Sequence, residues 1–133
     1  MQEKLTKIKL LALDVDGVLT DGTINIGDNG ELFKGFNAKD GLGISCALRS
    51  GLQVAIITGR KSAIIHKRAA ELGITMLREG VKDKYAELLK VTEEFGFTIS
   101  ASGLFHIDWG DGTRESFRKN TVGTVEYSHE YDV

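Results

Sequence analysis

Apolar residues fall into short runs separated by longer stretches with a helical period, and turn residues mark the joints. The first run, residues 8–13, stops at Asp14. A short apolar run bounded by turn residues predicts a strand buried on both faces, as in a parallel sheet. Two arms follow, residues 23–26 and 31–36, around Gly27-Asp28-Asn29-Gly30. That is turn chemistry for a hairpin. A lone hairpin is marginally stable, so Ile24, Ile26, Leu32, Phe33 and Phe36 need cover. Asp40 is then read as the cap of a helix reaching about Ser50, with Gly51 ending it. Residues 53–58 form a second strand. Residues 61–72 carry Ile65, Ala69 and Leu72 at helical spacing, and Gly73 stops them. Residues 74–77 make a third strand, and Gly80 to Lys84 open a helix ending near Phe95. A fourth strand is expected after that helix. Alternating strand and helix predicts an α/β domain with a parallel sheet. The polar tail beyond residue 97 fits no such pattern, apart from a hint of strand at residues 121–127.

Composition narrows the class. A chain of 133 residues, 41% apolar, makes one domain spanning 1–133 the default. Net charge is −2, so no broad basic surface is implied and nucleic acid is not an expected partner. The single cysteine, Cys46, rules out an intrachain disulfide and reads as a small core residue. The N-terminal residues lack a signal-peptide apolar core, and no apolar run approaches the ~20 residues of a membrane span. A cytoplasmic protein without a membrane partner is expected.

The candidate chemistry sits where the first strand ends. Asp14 and Asp16 are two apart, so on an extended chain they point the same way. Ligands of open α/β sheets bind beyond the carboxyl ends of the strands. One carboxylate there can attack phosphorus, and the other can protonate a leaving oxygen and then activate water. Paired hard oxygens also suit Mg²⁺. Asp-x-Asp-Gly is equally good turn chemistry, and the residues alone leave both readings open.

The longer string DVDGVLTDG, Asp14 through Gly22, resembles the first motif of the haloacid dehalogenase superfamily. Thr20-Asp21-Gly22 resembles its capless branch, the 3-deoxy-D-manno-octulosonate (KDO) 8-phosphate phosphatases. The resemblance runs from about residue 8 to about residue 97. It implies a Rossmann-like parallel sheet of that type, with residues 23–36 as a β-hairpin flap and no large cap domain. It implies Mg²⁺-dependent hydrolysis of a small phosphorylated sugar acid through an aspartyl-phosphate, with KDO 8-phosphate leading and a role in lipopolysaccharide biosynthesis. A sialic-acid-type 9-phosphatase is the enzymatic alternative.

The same resemblance assigns residues. Asp14 becomes nucleophile and metal ligand. Asp16 becomes acid/base, gives its carbonyl to the metal and touches substrate. T-G-R resembles the second motif, so Thr58 would hold phosphate, and Arg60 suits a substrate carboxylate. G-V-x-D-K resembles the third motif, so Lys84 would neutralise nucleophile and phosphate. Asn37, Ala38, Lys39, Asp40, Gly41 and Ser45 would line the sugar, and Arg68 matches a basic family position. The flap would build a homo-oligomer, a tetramer, and cover a neighbouring site.

The resemblance breaks in the tail, residues 98–133. The family's Gly-Asp-Asp, which completes the metal site, is due near residues 106–108, where this chain has His106-Ile107-Asp108. Asp108 is the expected third ligand, with Asp111 as alternative. If neither serves, a catalytically weak oligomeric subunit results. A diverged end, a truncation and a shifted reading frame all fit the tail.

Overall fold

In the computed structural model, residues 7–96 are described in full, and residues 103–108 and 114–119 through their backbone. Strand β1, Leu10–Leu13, carries the chain to Asp14. Strands β2, Asn25–Gly27, and β3, Gly30–Phe33, form an antiparallel hairpin. Its pairing is interrupted by a bulge between Asn25 and Ile26. Gly30 has φ 111°, a turn conformation that L side chains rarely adopt.

Helix α1, Ala38–Arg49, is capped by Asn37, whose side chain accepts from the Lys39 amide. This corrects the assignment of Asp40: the helix starts two residues before it, and Asp40 is the acidic residue of its first turn. Strand β4, Gln53–Ile57, then leads into α2, Ala63–Leu72, with Ser62 as its cap. Strand β5, Met76–Arg78, leads into α3, Lys84–Glu94, with Asp83 as its cap.

The three main strands form a parallel sheet in the order β1-β4-β5. Leu13 pairs with Ile56, and Ile57 with Arg78. Side chains alternate along β4. Val54 and Ile56 join the core under α1 and α2, with Ile44, Ile65 and Ala69. Ala55 and Ile57 join the core under α3, with Val91 and Leu88. Strand β4 is therefore the strand buried on both faces.

That corrects the reading of β1. Leu11 and Ala12 are exposed and Leu10 and Leu13 are half-buried, because β1 is an edge strand of this sheet. The expected fourth strand exists as β6, Gly103–Asp108, but pairs antiparallel with β7, Arg114–Lys119. Only residues 109–113 separate the two, a connection suited to a hairpin and too short for a parallel crossover. The hint of strand at residues 121–127 lies outside the described residues.

Two further expectations change. Cys46 is exposed rather than a core residue. It follows Ser45 on α1, where Gly41 and Ile44 take the buried stripe. Phe36 packs against the core, whereas Ile24, Ile26, Leu32 and Phe33 stay exposed.

Candidate active site

Parallel pairing brings three loops to one end of the sheet. The loop after β1 carries Asp14 and Asp16, the loop after β4 carries Thr58 and Arg60, and the loop after β5 leads to Lys84. The register of Leu13 with Ile56 sets Asp14 level with Ile57, the last residue of β4 and one before Thr58. Thr58 is 1% exposed, so the site is floored by the sheet itself. Its amide donates to the Arg78 carbonyl, and its carbonyl accepts from the Val81 amide. These bonds hold the loop that leads to α3 against the end of β4.

Asp14 is held from two sides. Its Oδ1 accepts the Val15 amide at 2.8 Å, and its Oδ2 meets Lys84 Nζ at 2.5 Å. Lys84 is the first residue of α3, placed there by the Asp83 cap, which accepts from the Ala86 amide. Both partners are mostly shielded, at 21% and 15% side-chain exposure. A charged bond of this kind is roughly twice as strong as a neutral one.

Asp16 also has a cation on it, one the motifs do not indicate. Lys34 Nζ lies 2.6 Å from Asp16 Oδ1 and 2.9 Å from Glu31 Oε1, with its side chain only 2% exposed. Burial works against the Lys34 charge, but hydrogen bonds to Asp16 and Glu31 outweigh it and hold its pKa above the ordinary 10.5. Burial likewise opposes the Glu31 charge, but bonds from Ser62 and Lys34 hold its carboxyl below the ordinary 4.5. The available signal was the sequence alternation, which groups Lys34 on one apolar face with Leu32 and Phe36, although the structure exposes Leu32 and buries Lys34. A charge on that apolar face calls for a buried partner.

The remaining predicted residues divide. Arg60 is half-exposed and its Nε lies 3.8 Å from Asp16 Oδ2, at the rim. Asn37, Ala38, Lys39 and Asp40 make the exposed first turn of α1, and Gly41 is buried beneath them. Ser45, one turn on, is half-buried, and its carbonyl accepts from Arg49 Nε. Arg68 turns its guanidinium over the Phe36 ring, 5.5 Å from the centroid, and onto Glu71 at 2.9 Å. A Cβ on Gly41 would meet Arg68 at 2.5 Å, so glycine lets helix and guanidinium approach. Its observed contacts thus brace α1 against α2. Asp108 ends β6, and its side chain, like the whole of Asp111, lies outside the described residues.

No protein-family profile matches the chain. Individual proteins do. The 3-deoxy-D-manno-octulosonate 8-phosphate phosphatase KdsC of Escherichia coli K12 is 48% identical over 109 residues, covering 80% of this chain and 58% of that protein. Over the matched residues the chain is similar to the haloacid dehalogenase superfamily.

Within that superfamily, solved structures agree with the fold. The phosphatase of the same description from Moraxella catarrhalis, in complex with magnesium, phosphate and KDO, superposes with a TM-score of 0.70 at 44% identity. The match covers 74% of this chain and 56% of that one. A Legionella pneumophila protein described as a putative haloacid dehalogenase superfamily hydrolase, subfamily III A, gives 0.68 at 40% identity, covering 72% and 53%. The chain spans a little over half the length of the superfamily members it matches.

Proposed function

We propose that this chain carries a phosphomonoesterase site that takes KDO 8-phosphate and works through an aspartyl-phosphate on Asp14. The observation that carries the reading is the Lys84–Asp14 pair at 2.5 Å beside Asp16, at the carboxyl end of a parallel sheet. Similarity to the E. coli and Moraxella phosphatases supports the choice of substrate.

Asp14 attacks phosphorus as the bond from phosphorus to the ester oxygen breaks, and Asp16 gives its proton to that oxygen. Asp16 then takes a proton from water, whose oxygen attacks phosphorus and releases inorganic phosphate, restoring the Asp14 carboxylate. Lys84 holds a fixed positive charge beside the nucleophile as phosphate charge builds. Thr58 holds phosphate at the floor of the site, and Arg60 at the rim takes the sugar carboxylate. The first turn of α1, residues 37–41, and Ser45 bound the sugar, with Arg68 behind them.

The chemistry of the donors fits Mg²⁺: the Asp14 carboxylate and the Asp16 main-chain carbonyl are hard oxygens, and Asp108 is our third ligand. Mg²⁺ keeps several waters and needs only one or two carboxylates plus substrate phosphate. When bound it would neutralise phosphate charge. We assign the protein to the cytoplasm and to lipopolysaccharide biosynthesis, as a single domain that assembles into a tetramer through its flap.

The test is a Mg²⁺ titration of phosphate release from KDO 8-phosphate, sialic-acid-type 9-phosphates and p-nitrophenyl phosphate. Hydrolysis of KDO 8-phosphate should require millimolar Mg²⁺. Asp14→Asn should lower turnover about a thousandfold or more with the fold unchanged by circular dichroism. Asp108→Ala should raise the Mg²⁺ requirement further. Substantial turnover by Asp14→Asn would remove Asp14 as nucleophile, and a wild-type protein inactive on every ester would remove the phosphatase reading.

A further inference from the structure

Lys34 stands on the flap, yet its ammonium is more deeply buried than either partner of the Lys84–Asp14 pair. It begins a continuous polar chain across the site. Lys34 Nζ donates to Asp16 Oδ1 and pairs with Glu31 Oε1. The other Glu31 oxygen accepts from the Ser62 hydroxyl. The Ser62 amide donates to Glu79 Oε1 at 2.8 Å, and Glu79 Oε2 meets His66 Nε2 at 2.6 Å. The chain joins the Asp16 loop, the base of the flap, the start of α2 and the loop after β5.

We propose that Lys34 is a positioning residue, which fastens the base of the flap to Asp16 and fixes which carboxylate oxygen is used. This rests on the reading of Asp16 as acid/base. An ammonium has donors only and cannot share an oxygen that bears a proton pointing at it. Lys34 therefore reserves Oδ1 for itself. Oδ2 lies 3.8 Å from Arg60 Nε, beyond hydrogen-bond distance, and is the oxygen left to exchange a proton with the leaving group. Burial strengthens the constraint. An ammonium with 2% exposure has no water to turn to, so if Asp16 rotated away Lys34 would keep Glu31 alone and lose one of its two carboxylates without replacement.

Two substrates separate this from a bulk structural role. An alkyl phosphate needs a proton on its departing oxygen, whereas p-nitrophenolate leaves without one. Lys34→Met should lower kcat on a sugar phosphate about a hundredfold, the range of general acid catalysis. On p-nitrophenyl phosphate the burst of p-nitrophenolate, which reports the first step alone, should slow less than about threefold; the second step, in which Asp16 acts as base toward water, is shared by both esters. Lys34→Arg should recover part of the loss. An equal first-step loss on both esters, measured by rapid quench, or none, overturns the proposal. Backbone amide exchange of the hairpin provides an arm independent of turnover. Protection across residues 25–33 should fall in Lys34→Met and in Glu31→Gln, and unchanged protection in both overturns the tether. A wild-type protein that hydrolyses neither ester defeats the phosphatase reading, while the exchange measurement still decides whether Lys34 ties down the flap.

Discussion

At the scale of single residues, the site is a set of carboxylates held by two lysines. Asp14 has Lys84, and Asp16 has Lys34, which also carries Glu31. These pairs have a consequence for pH. The folded state lowers the pKa of Glu31 below 4.5, so its contribution is present above that value and is lost as pH falls through the lowered one. Lys34 is raised, so its contribution holds through neutral pH and is lost only in strong alkali. Thermal unfolding followed from pH 7 downward should therefore show Tm falling as the pH passes below about 4.5, by an amount that shrinks in Glu31→Gln. An equal acid slope in the variant would mean that other carboxylates govern it.

At the scale of elements, caps place the groups to which we assign catalysis. Asp83 accepts the Ala86 amide and fixes the first turn of α3, and Lys84 opens that turn. Asp83→Ala should cost about 1 kcal/mol in denaturant unfolding, the usual loss of an N-cap. It should also lower turnover more than that destabilisation explains, because Lys84 loses its fixed origin. A variant destabilised as expected but fully active would separate cap from chemistry. The elements also show what local pattern conveys. α2 ends where its apolar spacing and stop glycine put it, since Ile65, Ala69 and Gly73 act within a turn or two of chain, and it starts at Ala63 because Ser62 caps it. The Asp40 cap was misplaced because Asn37 offers the same kind of side-chain oxygen earlier, and the first suitable cap sets where the helix starts.

At the scale of the whole molecule, Ile26, Leu32 and Phe33 are 65%, 62% and 59% exposed on one hairpin, a larger apolar surface than two short strands cover for themselves. Changing Leu32 and Phe33 together to Ser should dissociate the assembly we propose, seen as a drop in mass by light scattering. The Lys34 contacts at the hairpin base should persist, because they lie on the chain's own core side. Unchanged mass in the double variant would place the interface elsewhere. Phe36, which the alternation groups with these residues, belongs instead to the core beside Ile44 and Ile65.

Asp-x-Asp after a strand, Thr58 at the end of the next and Lys84 at the start of a helix were legible in the sequence. Each depends on its neighbours in the chain for its place, and strand, turn and cap chemistry act over a few residues. Tertiary structure decided what met across the chain. Lys84 finds Asp14 across 70 positions and Lys34 finds Asp16 across 18. Only packing of β4 between two helical layers made it the central strand, left β1 at the edge and put Cys46 outside. Local pattern cannot carry those outcomes, because burial depends on which distant surface arrives to cover a residue. A charge such as Lys34 can be buried only once such a surface brings the opposite charge with it.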